Sequence, residues 1–271
     1  MTFATYEVSR QDGSPVELYD FFFGTLHYRY TNVAVPQAYD GETFDPIPIT
    51  RGNIDSRTSF DNTTMRITAA GSIGIAALYR IQPPSGIVYL TIRSKHREDP
   101  DEQFAVSWTG RLLEVTRKRN EVELNCEPLT VSLKRTGLAE NFQKSCTRTL
   151  YRPGCNVDKD LFVVEGALTL VDATTVTLAG AEAMDTNWFA GGYLEYVNTD
   201  NGVLEYRPID SSSGGNLVLM LPVVNLAATG KAYAGCARTV AVCIAKFDNL
   251  NNYGGVPTLP TLNPFGGTDI F

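Results

Sequence analysis

A chain of 271 residues with a net charge of −7 exceeds a typical single core, so two domains are the natural expectation. A folded chain this long hides about three quarters of its surface and needs neither disulfides nor a metal merely to hold together. The acidic balance argues against a specific nucleic-acid footprint, no apolar run approaches a membrane span, and Met1–Val8 has neither the cationic start nor the apolar stretch of a signal peptide, which predicts synthesis in the cytoplasm.

The first third reads as β. Val16–Gly24 mixes aromatic and apolar residues, and His27–Thr31 continues it with alternation. Thr43–Ile54 is extended, but Pro46 and Pro48 remove ladder donors, which predicts an edge or crossing segment. Met65–Ala69 and Ile87–Arg93 read as strands, and Ser72–Tyr79 between them predicts a short helix despite Gly74 within it and Gly71 before it. Gln103–Gly110 and Leu112–Arg117 are predicted strands; the turn at Lys118–Glu121 joins the second to Glu121–Cys126 as a hairpin. The basic Arg117-Lys118-Arg119 falls at that tip, where a solvated turn is expected. Many short strands with frequent turns predict a β-barrel or sandwich over residues 1–136.

The pattern changes at Thr136–Gly137, which places a domain boundary there. Residues 137–248 predict a second β-rich domain with one or two short helices. Leu138–Ser145 has room for one or two helical turns. Strands follow at Phe162–Leu170, Thr175–Gly180, Tyr193–Val197, Val203–Arg207 and Asn216–Leu221, with a flexible turn at Ser211–Gly215. Arg238–Phe247 predicts a helix. From 249 to 271 periodicity ends, and Gly, Pro and Asn with spaced aromatics predict an irregular tail that contacts a partner.

The chemistry concentrates in cysteine. Eight residues separate Cys146 from Cys155, six separate Cys236 from Cys243, and eighty lie between the pairs. Four thiolates from two short segments can hold a metal or an iron–sulfur cluster. The same four can form two disulfides in an exported chain, or serve as small apolar fillers in a cytosolic one. The spacing departs from the roughly two to four residues usual within a zinc pair. On spacing alone all three readings stand. Cys126, in the alternating run Glu123–Pro128, is expected to be half-buried and uninvolved. Of the two histidines, His27 falls in a strand and His96 in a loop. Asp99 and Asp101, beside Pro100, read as a solvated loop. There is no glycine-rich phosphate loop, nucleophile elbow or His–Glu metal motif, so no enzyme is expected.

Taken together, Cys146-Thr-Arg-Thr-Leu-Tyr-Arg-Pro-Gly-Cys155, Gly235-Cys-Ala-Arg-Thr-Val-Ala-Val-Cys243 and Phe247-Asp-Asn-Leu-Asn-Asn-Tyr-Gly-Gly-Val-Pro257 resemble the baseplate hub proteins of siphophage tails. That family includes the hub of gene transfer agents and, more remotely, the lambda minor tail protein L. Phe44–Gly52 is similar to an N-terminal segment of the family. The resemblance implies a virion structural protein of the tail tip. It would form a homotrimeric ring beneath the tail tube and distal tail protein and above the central tip or fibre protein, with the tape-measure protein a further neighbour. It implies a tail-tube-like first domain, and a second in which Cys146, Cys155, Cys236 and Cys243 ligate a 4Fe–4S cluster, zinc being less favoured. Cys126 matches nothing in the motif. Val240–Val242 depart from the family by being apolar where charged residues are common. Leu150, Val240 and Val242 would shield the cluster, and Arg148 and Arg238 read either as surface charge or as guanidinium donors to it. The competing readings are a redox protein or sensor using the cluster, and an exported β-rich adhesin held by disulfides.

Overall fold

The computed structural model describes residues 15–54, 64–97, 99, 104–134, 137 and 141–259. The chain separates into two units, Met1–Arg135 and Thr136–Phe271. Both are mainly β.

In the first unit, β1 (Pro15–Phe23), β2 (Leu26–Thr31), β3 (Gln37–Tyr39), β4 (Glu42–Pro46), β5 (Ile49–Arg51), β6 (Met65–Ala70), β7 (Val88–His96), β8 (Ala105–Lys118) and β9 (Glu121–Pro128) make one nine-stranded sheet. Its order is β3-β4-β2-β1-β7-β8-β9-β6-β5. Strand β7 shows the governing pattern: Val88, Leu90 and Ile92 are buried and alternate with half-buried Tyr89, Thr91 and Arg93, as a period of two demands. Leu18, Phe21, Ile67, Leu90 and Leu124 form the core. Glu17 is buried among them. Its carboxylate accepts from the Tyr19 hydroxyl at 2.5 Å and pairs with Arg51 at 2.6 Å, so the desolvated charge keeps partners. The segment carrying Pro46 and Pro48 crosses from β4 to β5, at the far edge of the sheet.

Several expectations change in this unit. Strand β8 runs unbroken for 14 residues where two strands were predicted. The segment after Ser72 forms a 3₁₀ helix, Gly74–Tyr79. The basic hairpin tip is only partly solvated, because Arg117 donates to the Ala76 carbonyl at 2.7 Å and Lys118 pairs with Glu123. His96 ends β7 rather than lying in a loop, and it is buried, as is Asp99. Asp101 lies outside the described residues.

In the second unit, β10 (Val163–Leu170), β11 (Thr175–Leu178), β12 (Tyr193–Asn198), β13 (Leu204–Ser213), β14 (Asn216–Leu219) and β15 (Leu226–Tyr233) close into a barrel in the order β10-β11-β14-β13-β12-β15. Closure is found here, while the first unit is a single broad sheet. Val176, Leu178, Phe189, Leu194, Ile209 and Leu217 fill the core. Glu205 and Arg207 are buried with them as an ion pair at 3.0 Å. Strand β13 extends through Ser211–Ser213, and only Gly214–Gly215 makes the turn. The Ser212 hydroxyl has a structural use there, accepting from the Phe189 amide at 3.2 Å. The later helix, α1 (Val240–Phe247), is capped by the Thr239 hydroxyl, which accepts from the Val242 amide. Residues 141–145 of the expected helical turns are irregular, and 138–140 lie outside the described residues. No helix among the described residues is long and apolar enough to cross a membrane.

Candidate metal centre

Barrel closure explains how distant cysteines meet. Strand β10 pairs antiparallel with β15, and Val163 lies opposite Tyr233. Cys155 sits shortly before the first of these strands and Cys236 shortly after the second. The two cysteine segments therefore enter and leave the barrel side by side. Further bonds stitch them: Ala234 donates to the Phe162 carbonyl at 2.9 Å, the Tyr151 hydroxyl to the Ala234 carbonyl at 2.6 Å, and the Cys146 amide to the Arg238 carbonyl at 2.9 Å. Gly235 makes the approach possible, since a Cβ there would lie 1.8 Å from the Ala190 carbonyl oxygen.

Cys146, Cys155, Cys236 and Cys243 all line one cavity of about 620 Å³. Three are buried, Cys236 is half-buried, and all five cysteines of the chain are unbridged. Cys126 lies apart in β9, fully buried rather than half-buried, and burial pushes its thiol up to about 12. Leu150, Val157 and Phe247 form the apolar wall; Val240 and Val242, expected there, do not line the cavity. Tyr151, Tyr193, Tyr206 and Tyr253 also line it. Tyr151 packs edge-on to Tyr233 at 6.3 Å, Tyr233 stacks on Tyr193 at 4.6 Å, and Tyr193 meets Tyr206 at 5.8 Å.

The sulfurs face N–H donors. The Gly254 amide donates to Cys146 Sγ and the Arg238 amide to Cys236 Sγ, both at 3.3 Å. Asn249 Nδ2 donates to the Cys155 carbonyl at 2.6 Å and stands 3.8 Å from Cys155 Sγ. Cys243 differs: its thiol donates to the Asn249 carbonyl at 3.2 Å. Burial, followed by the neighbouring Cys236, Cys146 and Cys155, pushes the Cys243 pKa up. A thiol crowded in this way by three other sulfurs has neighbours whose charge a cationic core would relieve. Among the described residues, however, no three His, Cys, Asp or Glu side chains gather closely enough to hold one ion. Four thiols spread around a cavity, with N–H donors on three of the sulfurs, fit a multinuclear sulfur-ligated group in kind better than a single zinc.

The two arginines act differently. Arg148 donates from Nη1 to the carbonyls of Gly154 and Asn252. Arg238 contributes its own amide and carbonyl from a left-handed conformation, φ 58°. Lys246 on α1 donates to the carbonyls of Trp188 and of Gly235, the latter at 2.8 Å, and burial lowers its pKa to about 8.

Residues 249–259, expected within an irregular, partner-contacting tail, pack on their own unit. The Tyr253 hydroxyl reaches the Lys144 carbonyl at 2.6 Å, Thr147 donates to the Gly254 carbonyl at 3.2 Å, and the Val256 amide to the Gln143 carbonyl at 2.9 Å. Asn249, Asn252 and Gly254 are thus part of the site. The signal for them was the Asn-x-x-Asn-Tyr-Gly-Gly run itself. Residues 260–271 lie outside the described residues. His27 pairs with Asp20 at 3.0 Å in the first unit.

Residues 23–158 match the family model described as baseplate hub protein, N-terminal attachment domain, which spans just over half the chain. Residues 187–263 match the model described as phage conserved hypothetical protein BR0599. The first match takes in Cys146 and Cys155, the second Cys236, Cys243 and the Asn249–Gly255 run. An uncharacterized protein of Xylella fastidiosa (strain 9a5c) is 27% identical over 187 residues, which is 64% of this chain and 38% of that protein's length. Among solved structures, a chain from the virion of a native gene transfer agent (GTA) particle shares the fold, with a TM-score of 0.76 over 98% of this chain and 96% of its own, at 20% identity.

Proposed function

The chain belongs to the phage baseplate hub protein family, and from that premise we propose that it builds the tip of a long, non-contractile tail. As a member of that family it is a structural component of the virion tail. In the reading advanced here it forms a homotrimer that joins the tail tube and distal tail protein to the central tip or fibre protein, and it acts without catalysis.

The second unit carries the stabilising device. Cys146, Cys155, Cys236 and Cys243 hold a 4Fe–4S cluster. Such a group supplies metal–thiolate bonds whose free energy adds to folding, as at structural zinc sites. The chain's own residues do the rest. The Gly254 and Arg238 amides offset thiolate charge, Leu150, Val157 and Phe247 keep water away, and Arg148 and Lys246 fasten the loops through backbone carbonyls. The observation that carries the reading is that four cysteines, from segments eighty residues apart, line one cavity at the barrel's closing pair.

The test is anaerobic purification with absorption spectroscopy and iron and sulfide quantitation. A brown protein with about four irons per chain is expected. A colourless protein lighter by the mass of two disulfides' hydrogens overturns the reading. Cys146→Ser and Cys243→Ser should each lose colour and impair tail assembly, and full infectivity in either would remove the structural role.

A further inference from the structure

The segment Asn249–Gly255 forms a third wall of the centre, independent of the two cysteine loops. It touches three of the four cysteines. The Asn249 amide donates to the Cys243 carbonyl at 3.1 Å, its carbonyl accepts from the Cys243 thiol, its side chain reaches Cys155, and the Gly254 amide reaches Cys146 Sγ. The amide group of Asn249 has its orientation set by a neighbour. Asn252 Nδ2 donates to Asn249 Oδ1 at 2.7 Å, which occupies the acceptor end and turns the NH₂ toward Cys155. Two glycines permit the approach: a Cβ at Gly254 would lie 2.7 Å from Arg148 Cγ, and one at Gly255 would lie 2.5 Å from the Lys144 carbonyl oxygen.

We propose that Asn249 is a sulfur-facing positioning residue. It holds Cys155 for ligation and raises the reduction potential of the bound group, with Asn252 orienting it and the Gly254 amide serving Cys146 in the same way. The proposal rests on the iron–sulfur reading above. An N–H aimed at a ligating sulfur withdraws electron density and favours the more negative, reduced state. A carboxylate of the same shape at position 249 does the reverse.

The experiment uses the full chain, purified anaerobically, as parent, Asn249→Asp, Asn249→Ala and Asn252→Ala. Potentiometric titration followed by absorption should show Asn249→Asp displaced toward the oxidised form by tenfold or more at the parent midpoint, a fall of about 59 mV for a one-electron couple. Asn252→Ala should shift the same way by less. On the metal-free, reduced protein, iodoacetamide should modify Cys155 several-fold faster in Asn249→Ala, with Cys236, which is served by Arg238, unchanged. An iron-loaded Asn249→Asp with the parent's potential and the parent's Cys155 reactivity overturns the proposal. An iron-free parent overturns the tuning together with the iron–sulfur reading, and the Cys155 rates then decide the positioning role by themselves. If Asn249→Asp does not fold, Asn252→Ala carries the same comparison with Asn249 in place.

Discussion

Cys126 and the four cavity cysteines share a side chain and differ in everything around it. Burial in β9 keeps the Cys126 thiol protonated to about 12, so at pH 9 it offers almost no thiolate to an electrophile. Alkylating the metal-free, folded chain at pH 9 should therefore add four groups, with a fifth only after denaturation; intact-mass spectrometry counts them. Arg148 gives a second prediction. Removing its side chain leaves the carbonyls of Gly154 and Asn252 without their charged donor, and Arg148→Ala should cost roughly 1–3 kcal/mol in denaturant midpoint analysis. At this scale the sequence singled out the four thiols that line the cavity, because sulfur chemistry is carried by residue type. It did not identify Asn249 or Asn252, because an amide acquires a role only from the atoms the fold sets beside it. The two arginines were placed in the cysteine loops, but Arg148 contacts peptide carbonyls and Arg238 acts through its own amide and carbonyl, which no side-chain motif encodes.

Among the elements, β15 is a strand that sequence reading passed over. Leu226-Ala-Ala-Thr-Gly-Lys-Ala-Tyr233 has few residues with a preference for strands. It is a strand because β10 and β12 flank it, with Gly230 opposite Gly166 and Tyr196. The serines of β13 misled in the same way: they resemble a linker, yet Ser212 bonds inward. Periodic strands such as β7 were plain from alternation alone. Helix α1 was also readable, and it carries Cys243. Thr239→Ala removes its cap and should cost about 1 kcal/mol, measured by chemical denaturation of the metal-free protein. Gly235→Ala is more severe. The added methyl collides with the rigid Ala190 carbonyl, and the cost should reach or exceed the ~1–3 kcal/mol usual for overpacking, read as a lower melting temperature and faster Cys236 alkylation.

Over the whole molecule, the division into two units makes a calorimetric prediction. The centre lies wholly in Thr136–Phe271, so Cys146→Ser should lower the melting of that unit. Far-UV changes assigned to the nine-stranded unit should stay where they are in the parent. Both cysteine pairs also depend on the pairing of β10 with β15, and that dependence sets a timetable during synthesis. At about 5–20 residues per second, the eighty residues between Cys155 and Cys236 take roughly 4–16 s to leave the ribosome. For all that time the upstream thiols wait without their counterparts. The last barrel strand emerges just ahead of Cys236, so the nascent chain has no four-sulfur site to offer until Cys243 has been made. On the iron–sulfur reading proposed above, iron delivery therefore follows the synthesis of Cys243, and cells short of iron would accumulate folded, colourless subunits rather than stalled ones.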